Sequence, residues 1–311
     1  MAVTIPRRDT RVSERTGPRV YPGDVTAHGA MGRGAARLLG SLVTALALGT
    51  ALTACAIRPP FPLTTPARTG TRATVPPPDA SSTPSATGPC PAPVAGLLTE
   101  APGTGRTVAL TFDDGPAPAD LEIVPILARF GVHATFFETG RHVADSPRVS
   151  RYVADAGNLV EDHSWDHLYP REVLGGWTRA YLVDQFGRTR AQLSATTHEP
   201  VCFVRPPGGF DDHVVDAANS LGMTPVLWSV DGLDWKQPGT VTPDATAAIV
   251  ANATRAQGQE HPIVLLHSGK ASHEPGSVVS PFRGNTVAAL PKVIQWYLDQ
   301  GYTFVRLDGT T

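Results

Sequence analysis

The chain has 311 residues, and 26 Lys and Arg against 28 Asp and Glu leave a net charge of −2, which excludes the basic surplus that nucleic-acid binding requires. Three cysteines are too few for a disulfide scaffold, and their spacing fits no zinc-finger pattern. The 30 prolines exceed average usage but crowd into the first third, where they describe a linker, so roughly 210 residues remain for one folded domain.

Residues 38–48 (LLGSLVTALAL) form an apolar run preceded by Arg33 and Arg37. Such a run is a secretory h-region, too short for a standard transmembrane helix. It leads into Leu52-Thr53-Ala54-Cys55, which resembles the lipobox of bacterial lipoproteins. That resemblance implies a diacylated Cys55 as the mature N-terminus, and two acyl chains anchor stably where one is marginal. The polar, charged stretch before Met31 does not suit a signal peptide, whereas a start at Met31 gives basic, apolar and cleavage regions in the usual proportions. Residues 1–55 are therefore expected to be an N-terminal extension and lipoprotein signal, with Met31 the true start. Residues 56–93, rich in Pro, Thr, Ser and Ala with no apolar period, read as a solvated tether. The folded domain is expected over 94–311, exported across the cytoplasmic membrane and held on its outer face.

From Arg106 onward, short β-branched or aromatic runs alternate with longer helical patterns. Strands are predicted at 107–112, 134–138, 158–161, 201–205, 225–230, 262–266 and 303–306. Helices are predicted at 119–130, 147–156, 181–193, 211–221, 242–256 and 286–300. The alternation points to an α/β barrel or a doubly wound sheet. Either architecture gathers ligands at the C-terminal ends of its strands.

The polar residues cluster at those ends. Strand 107–112 runs into Asp113-Asp114-Gly115, two adjacent carboxylates whose mutual repulsion is relieved if one binds a metal. Strand 158–161 runs into His163-Ser164-Trp165-Asp166-His167. Histidines at i and i+4 can converge on one ion from a helical turn, and Asp114 would complete a His-His-carboxylate set. Arg205-Pro206-Pro207-Gly208-Gly209 couples a fixed cation to a turn with exposed backbone N–H groups. Asp231-Gly232-Leu233-Asp234-Trp235 and Leu265-Leu266-His267-Ser268 end the next two strands. Taken singly, each piece also reads as a surface turn or a structural histidine.

In their order and placement the five pieces resemble the polysaccharide deacetylase family, carbohydrate esterase family 4 or the NodB homology domain, over about 106–307. Ala134-Thr135-Phe136-Phe137 and Ala289-Leu290-Pro291 are smaller echoes of it. The resemblance implies a distorted (β/α)7 barrel and an enzyme that hydrolyses acetyl groups of N-acetylated envelope polysaccharide. It implies Asp113 as catalytic base, and Asp114, His163 and His167 as ligands of one divalent metal, usually zinc and sometimes cobalt or another transition metal. His267 would be the acid, Arg205 the partner of Asp113, and Asp234 the group that orients His267. Trp235 and Leu265 would line the acetyl pocket, and a backbone N–H near Gly208 would face the oxyanion. The expected partners are an acetylated polysaccharide and, through the lipid anchor, the membrane; the expected state is a monomer. An O-acetyl esterase would need the same centre, and a non-catalytic glycan-binding lipoprotein could use the same fold.

Two departures from the family pattern stand out. Gly208 occupies a position where tyrosine is common, which removes a ring wall and some backbone rigidity, and Ser268 follows His267 where aspartate is frequent. With Cys55 acylated, Cys90 and Cys202 remain as an even pair in an oxidising compartment. A disulfide between them is expected, the alternative being two buried thiols.

Overall fold

The computed structural model describes residues 90–311; the h-region, Cys55 and the tether as far as residue 89 lie outside the described residues. Among the described residues no helix is long and apolar enough to cross a membrane.

The centre of the fold is β1 (Thr107–Gly115), every residue of which is buried. It pairs in parallel with β2 (Thr135–Glu138), β7 (Ile263–His267) and, at its start, β8 (Thr303–Phe304). Outward from β2 come β3 (Leu159–Asp162), β4 (Phe203–Val204) and β5 (Thr224–Pro225), and outward from β7 comes β6 (Val230–Asp231). An all-parallel sheet buried on both faces is read in sequence as near-continuous apolar runs, and TVALTF at the start of β1 is one.

The predicted strand 225–230 is two strands. Its beginning, β5, pairs with β4, and its end, β6, pairs with β7. One segment thus supplies both edges of the sheet, which curls round into a distorted barrel. The turn between the edges is made where Val226 N–H still donates to Val204 O (2.8 Å) and Ser229 N–H already donates to Ile263 O (3.1 Å). Consecutive residues could not change partners in this way in a flat sheet.

Helices cover the outside: α1 (Asp120–Phe130), α2 (Gly140–Asp145), α3 (Pro147–Asp155), α4 (Arg179–Thr197), α5 (Val214–Ser220), α6 (Pro243–Ala253) and α7 (Gly284–Asp299). Local chemistry sets several of their ends. Thr178 and Thr242 accept the N–H of Tyr181 and Ala245 to cap α4 and α6, and Pro147 and Pro243 start α3 and α6 where their missing N–H costs nothing. Gly131, at φ 63°, ends α1. The one-turn helix α2 has too few residues to show a period. Apolar faces of α1, α4, α6 and α7 meet the sheet in one core that includes Phe112, Phe136, Phe186, Ile249 and Tyr297. Before β1, Cys90 and Cys202 are joined by a disulfide, and Leu98 bridges in parallel to Val226, so the chain ahead of the barrel is fastened beside β4 and β5.

Candidate active site

Adjacent residues of a regular strand point to opposite faces, so Asp113 and Asp114 should not share a pocket. The register of β1 against β2 slips between Asp113 and Gly115, and Asp114 sits at the slip with φ 67°. This bulge turns both carboxylates into one cleft at the C-terminal end of the sheet. Gly269 packs against the bulge so closely that a Cβ there would lie 2.0 Å from Asp114 O, leaving no room for a side chain. Across β7 the register places His267 directly beside Asp113. His163, His167, Gly208, Trp235 and Leu265 line the same cleft, together with Tyr169, Trp228 and Glu274.

Asp113 is held from behind. Arg205, wholly buried, donates from Nη1 to Asp113 Oδ1 (2.7 Å) and to Thr111 Oγ1 (2.8 Å), and its guanidinium lies 4.2 Å from the centre of the Phe137 ring. Burial lowers the guanidinium pKa below its usual value, and Asp113 opposes that shift. His267 is held from the other side. Its Nδ1 donates to Asp234 Oδ1 (2.8 Å), while Asp234 Oδ2 accepts from the His267 backbone N–H and the Thr286 hydroxyl (both 2.8 Å). Burial disfavours the imidazolium, but Asp234 and, more weakly, Asp114 outweigh it and raise the His267 pKa to about 9. This favours the imidazolium, with Nε2 left to carry a proton into the cleft.

Asp114, His163 and His167 have ligand atoms within 4.8 Å of one another. Asp114 Oδ1 lies 3.7 Å from His163 Nε2 and 3.4 Å from His167 Nε2, and this buried oxygen has no hydrogen-bond partner. His163 Nδ1 lies 2.8 Å from the carbonyl of Arg205. Because a carbonyl only accepts, Nδ1 carries the proton and Nε2 offers its lone pair to the cleft. Burial opposes ionisation of Asp114, but His167 and His163 outweigh it and hold the carboxyl well below the usual range; burial drives the His167 pKa down. An orphaned carboxylate oxygen facing two imidazole lone-pair positions fits a divalent metal of the zinc type.

The 163–167 segment is no helical turn. Ser164 and His167 have φ of 64° and 61°, and the loop is tied by Ser164 N–H to Asp162 Oδ1 and His167 N–H to Ser164 Oγ. Side chains four apart converge here through two left-handed residues rather than through helical periodicity.

Gly208 also departs from expectation. At φ 62°, a Cβ on it would lie 2.9 Å from Tyr169 Cε1 and 3.1 Å from Phe210 Cε2. Tyr169 therefore supplies an aromatic wall from another loop, in space a side chain at 208 would need. Its hydroxyl donates to Glu274 Oε1. Tyr169, Glu172, His273, Glu274 and Thr286 were not singled out by sequence reasoning. Each is an isolated polar residue in a loop or at a helix start, where no period marks its direction.

Known proteins resemble the chain in sequence and in fold. A family described as "Polysaccharide deacetylase" matches residues 100–226. The chain is 32% identical over 210 residues to a chitooligosaccharide deacetylase of Rhizobium leguminosarum bv. trifolii, covering 67% of this chain and 93% of that one. It is 31% identical over 212 residues to a peptidoglycan-N-acetylglucosamine deacetylase of Bacillus cereus, covering 67% and 89%. Among solved structures it resembles a carbohydrate esterase family 4 pseudoenzyme of Bacillus anthracis, at TM-score 0.57 and 26% identity, over 68% of this chain and 67% of that one. With the strand-end residues in place and relatives matched along nearly their whole length, the chain belongs to the polysaccharide deacetylase family of hydrolases.

Proposed function

We propose that this hydrolase cleaves the carbon–nitrogen bond of N-acetyl groups on a cell-envelope polysaccharide, either peptidoglycan or a chitin-like polymer of N-acetylglucosamine, releasing acetate and a free amine. The observation that carries this reading is the pairing of Asp113 and His267 on neighbouring strands beside the Asp114, His163 and His167 cluster. The names of the relatives support the substrate class.

Asp114, His163 and His167 would hold one divalent ion, zinc by the nature of the donors. Such an ion supplies Lewis-acid polarisation of the acetyl carbonyl and acidifies water. Asp113 commits Oδ1 to Arg205 and keeps Oδ2 at the cleft, 3.5 Å from His163 Nε2. Oδ2 takes a proton from the water whose oxygen attacks the carbonyl carbon. Backbone at Gly208 faces the oxygen that gains charge, and Trp235 and Leu265 enclose the methyl group. As the carbon–nitrogen bond breaks, its electron pair goes to nitrogen, and His267 Nε2 delivers a proton there. Without that proton an amide anion would have to leave.

Acetate release from purified cell wall, chitin oligomers and acetylxylan, assayed in parallel with and without chelator, tests the reading. Turnover on wall or chitin oligomers that chelation abolishes supports it. Turnover confined to acetylxylan would replace it with O-acetyl hydrolysis, and none on any substrate would align the chain with the pseudoenzyme. Cys55 is proposed as the lipid anchor on the outer face of the cytoplasmic membrane, motivated by the run at 38–48 and by Leu52-Thr53-Ala54 before it. Cys55→Ser should free the protein from membranes under a high-salt wash, and a variant that stays bound would discard the anchor.

A further inference from the structure

The loop after β7 brings a histidine against the back of a candidate ligand. His167 Nε2 faces Asp114, and His167 Nδ1 lies 3.1 Å from His273 Nε2. The other nitrogen of His273, Nδ1, lies 3.1 Å from Glu172 Oε1. Glu172 is itself fixed, since its Oε2 accepts the Tyr169 N–H (2.8 Å) at the start of a short 3-10 turn, Pro170–Glu172. The direction of this chain follows from its last member. A carboxylate accepts only, so His273 Nδ1 donates to Glu172, and in the tautomer with its proton there Nε2 is an acceptor. In that tautomer His167 Nδ1 donates to it, and the His167 proton is kept off Nε2.

We propose that His273, backed by Glu172, is a positioning residue that holds His167 in the tautomer and orientation able to ligate a metal through Nε2. The inference rests on the metal reading given above. The physical reason is that a ligand imidazole needs a hydrogen-bond partner on its second nitrogen to fix the ring, a role usually filled by a carboxylate or carbonyl. His163 has such a partner in the Arg205 carbonyl, and His267 has one in Asp234. For His167 the partner is another imidazole, with the carboxylate one ring further out.

The same loop also steadies Asp114. Ser272 Oγ lies 3.1 Å from His142 Nε2, and His142 Nδ1 donates to the Asp114 carbonyl oxygen (3.1 Å). Asp114 and His167 both have positive φ, a conformation that persists only where surroundings enforce it. Residues 272–274 reach both, directly or through one ring, and the Tyr169 hydroxyl bond to Glu274 fastens the loop a third time.

One rival arrangement exists, because His167, His273 and Glu274 also have ligand atoms within 4.8 Å of one another. An ion there would need His167 Nδ1 as a second ligand atom of a ring whose Nε2 already faces Asp114. The ring would have to give up its last proton. It would also need His273 Nε2, which already faces His167 Nδ1, and Glu274, whose Oε1 is taken by Tyr169 although its buried Oε2 has no partner.

Zinc titration of the metal-free, full-length chain against a competing chelator, with ring-nitrogen NMR of His167 in the metal-free state, decides the matter. The wild type is expected to bind one zinc, with His167 protonated on Nδ1. His273→Ala should weaken zinc binding by about 10–100-fold and release His167 into mixed tautomers. His273→Gln, whose amide oxygen can accept the same hydrogen bond, should recover most of the affinity. Equal affinity in wild type and His273→Ala would overturn the proposal, as would weaker binding with an unaltered His167 tautomer. Two zinc ions in the wild type and one in the variant would assign His273 as a ligand instead. A wild type that binds no zinc would remove the metal reading itself, a result distinct from the other failures.

Discussion

The two flanks of the cleft use one device for opposite ends. On one, the buried cation Arg205 stands behind Asp113; on the other, the buried anion Asp234 stands behind His267. Each pair holds one atom of the cleft side chain and leaves the other turned to the cleft, Oδ2 on Asp113 and Nε2 on His267. The partners differ in exposure: Arg205, Asp234 and Asp113 are nearly inaccessible, while the His267 side chain keeps 13% of its surface. Asp113 thus meets a fixed positive charge from inside the protein, and His267 a fixed negative one.

The largest effects should come from the residues proposed to carry the chemistry. Asp113→Asn and His267→Ala should each cut turnover by roughly 10²–10⁴-fold, and metal content should stay near wild type in both. Asp114→Asn should instead lose metal, and excess zinc should restore part of its activity. If the flanks act as a unit, the double variant Asp113→Asn with His267→Ala should be no slower than the slower single variant. Metal analysis beside acetate-release kinetics reads all four, and equal metal loss in the Asp113 and Asp114 variants would erase the distinction between base and ligand.

Arg205→Met should act on stability as well as rate, because it strands a buried carboxylate. Breaking a buried pair from one side costs about 3–5 kcal/mol, and urea unfolding of the metal-free protein should register it. A loss under 1 kcal/mol would mean that water reaches Asp113 and that the two flanks are less alike than their geometry.

The Asp234 flank is separated from the Arg205 flank by its pH dependence. The folded-state pKa of His267 is raised to about 9, so its cation is present below that value and lost as pH rises through it. kcat/KM should fall along an alkaline limb governed by this loss. A metal ion held by Asp114 would offset that carboxylate's support and so would draw the limb down from about 9 toward the ordinary histidine value of 6.5. Asp234→Asn should move the limb further down, since the larger contribution is removed. The pairing stabilises the fold in the same sense: the contribution is full below about 6.5 and vanishes as pH passes about 9. An alkaline limb at the same pH in wild type and Asp234→Asn would assign it to another group.

The smallest effect tests the rim of the Arg205 flank. Gly208→Ala places a Cβ 2.9 Å from Tyr169 on a backbone at φ 62°, which should cost about 1–3 kcal/mol and raise KM more than it lowers kcat. Adding Tyr169→Ala should relieve the clash, and a double variant no better than Gly208→Ala would show that the rings do not compete for that space.

The residues at the strand ends were legible because chemistry leaves local marks. Adjacent Asp113 and Asp114, His163 with His167, Arg205 before Pro206 and Pro207, and His267 after an apolar run each stand out in a few residues of sequence. The parallel α/β class was legible too, because β-branched runs and helical patterns alternate at the right lengths. Three things only the tertiary structure decided. The slip at Asp114 that turns two neighbouring carboxylates to one side depends on how β1 registers with β2, and Gly269 must close over it. The division of 224–231 between two edges depends on β4 and β7 lying on opposite sides of a curled sheet. Tyr169, Glu172, His273 and Glu274 join the site only because two loops far apart in the chain meet above it. Local propensity and periodicity report what a residue prefers within a turn or a strand; they carry no information about which distant backbone will be its neighbour, and that neighbour decides where its side chain is aimed.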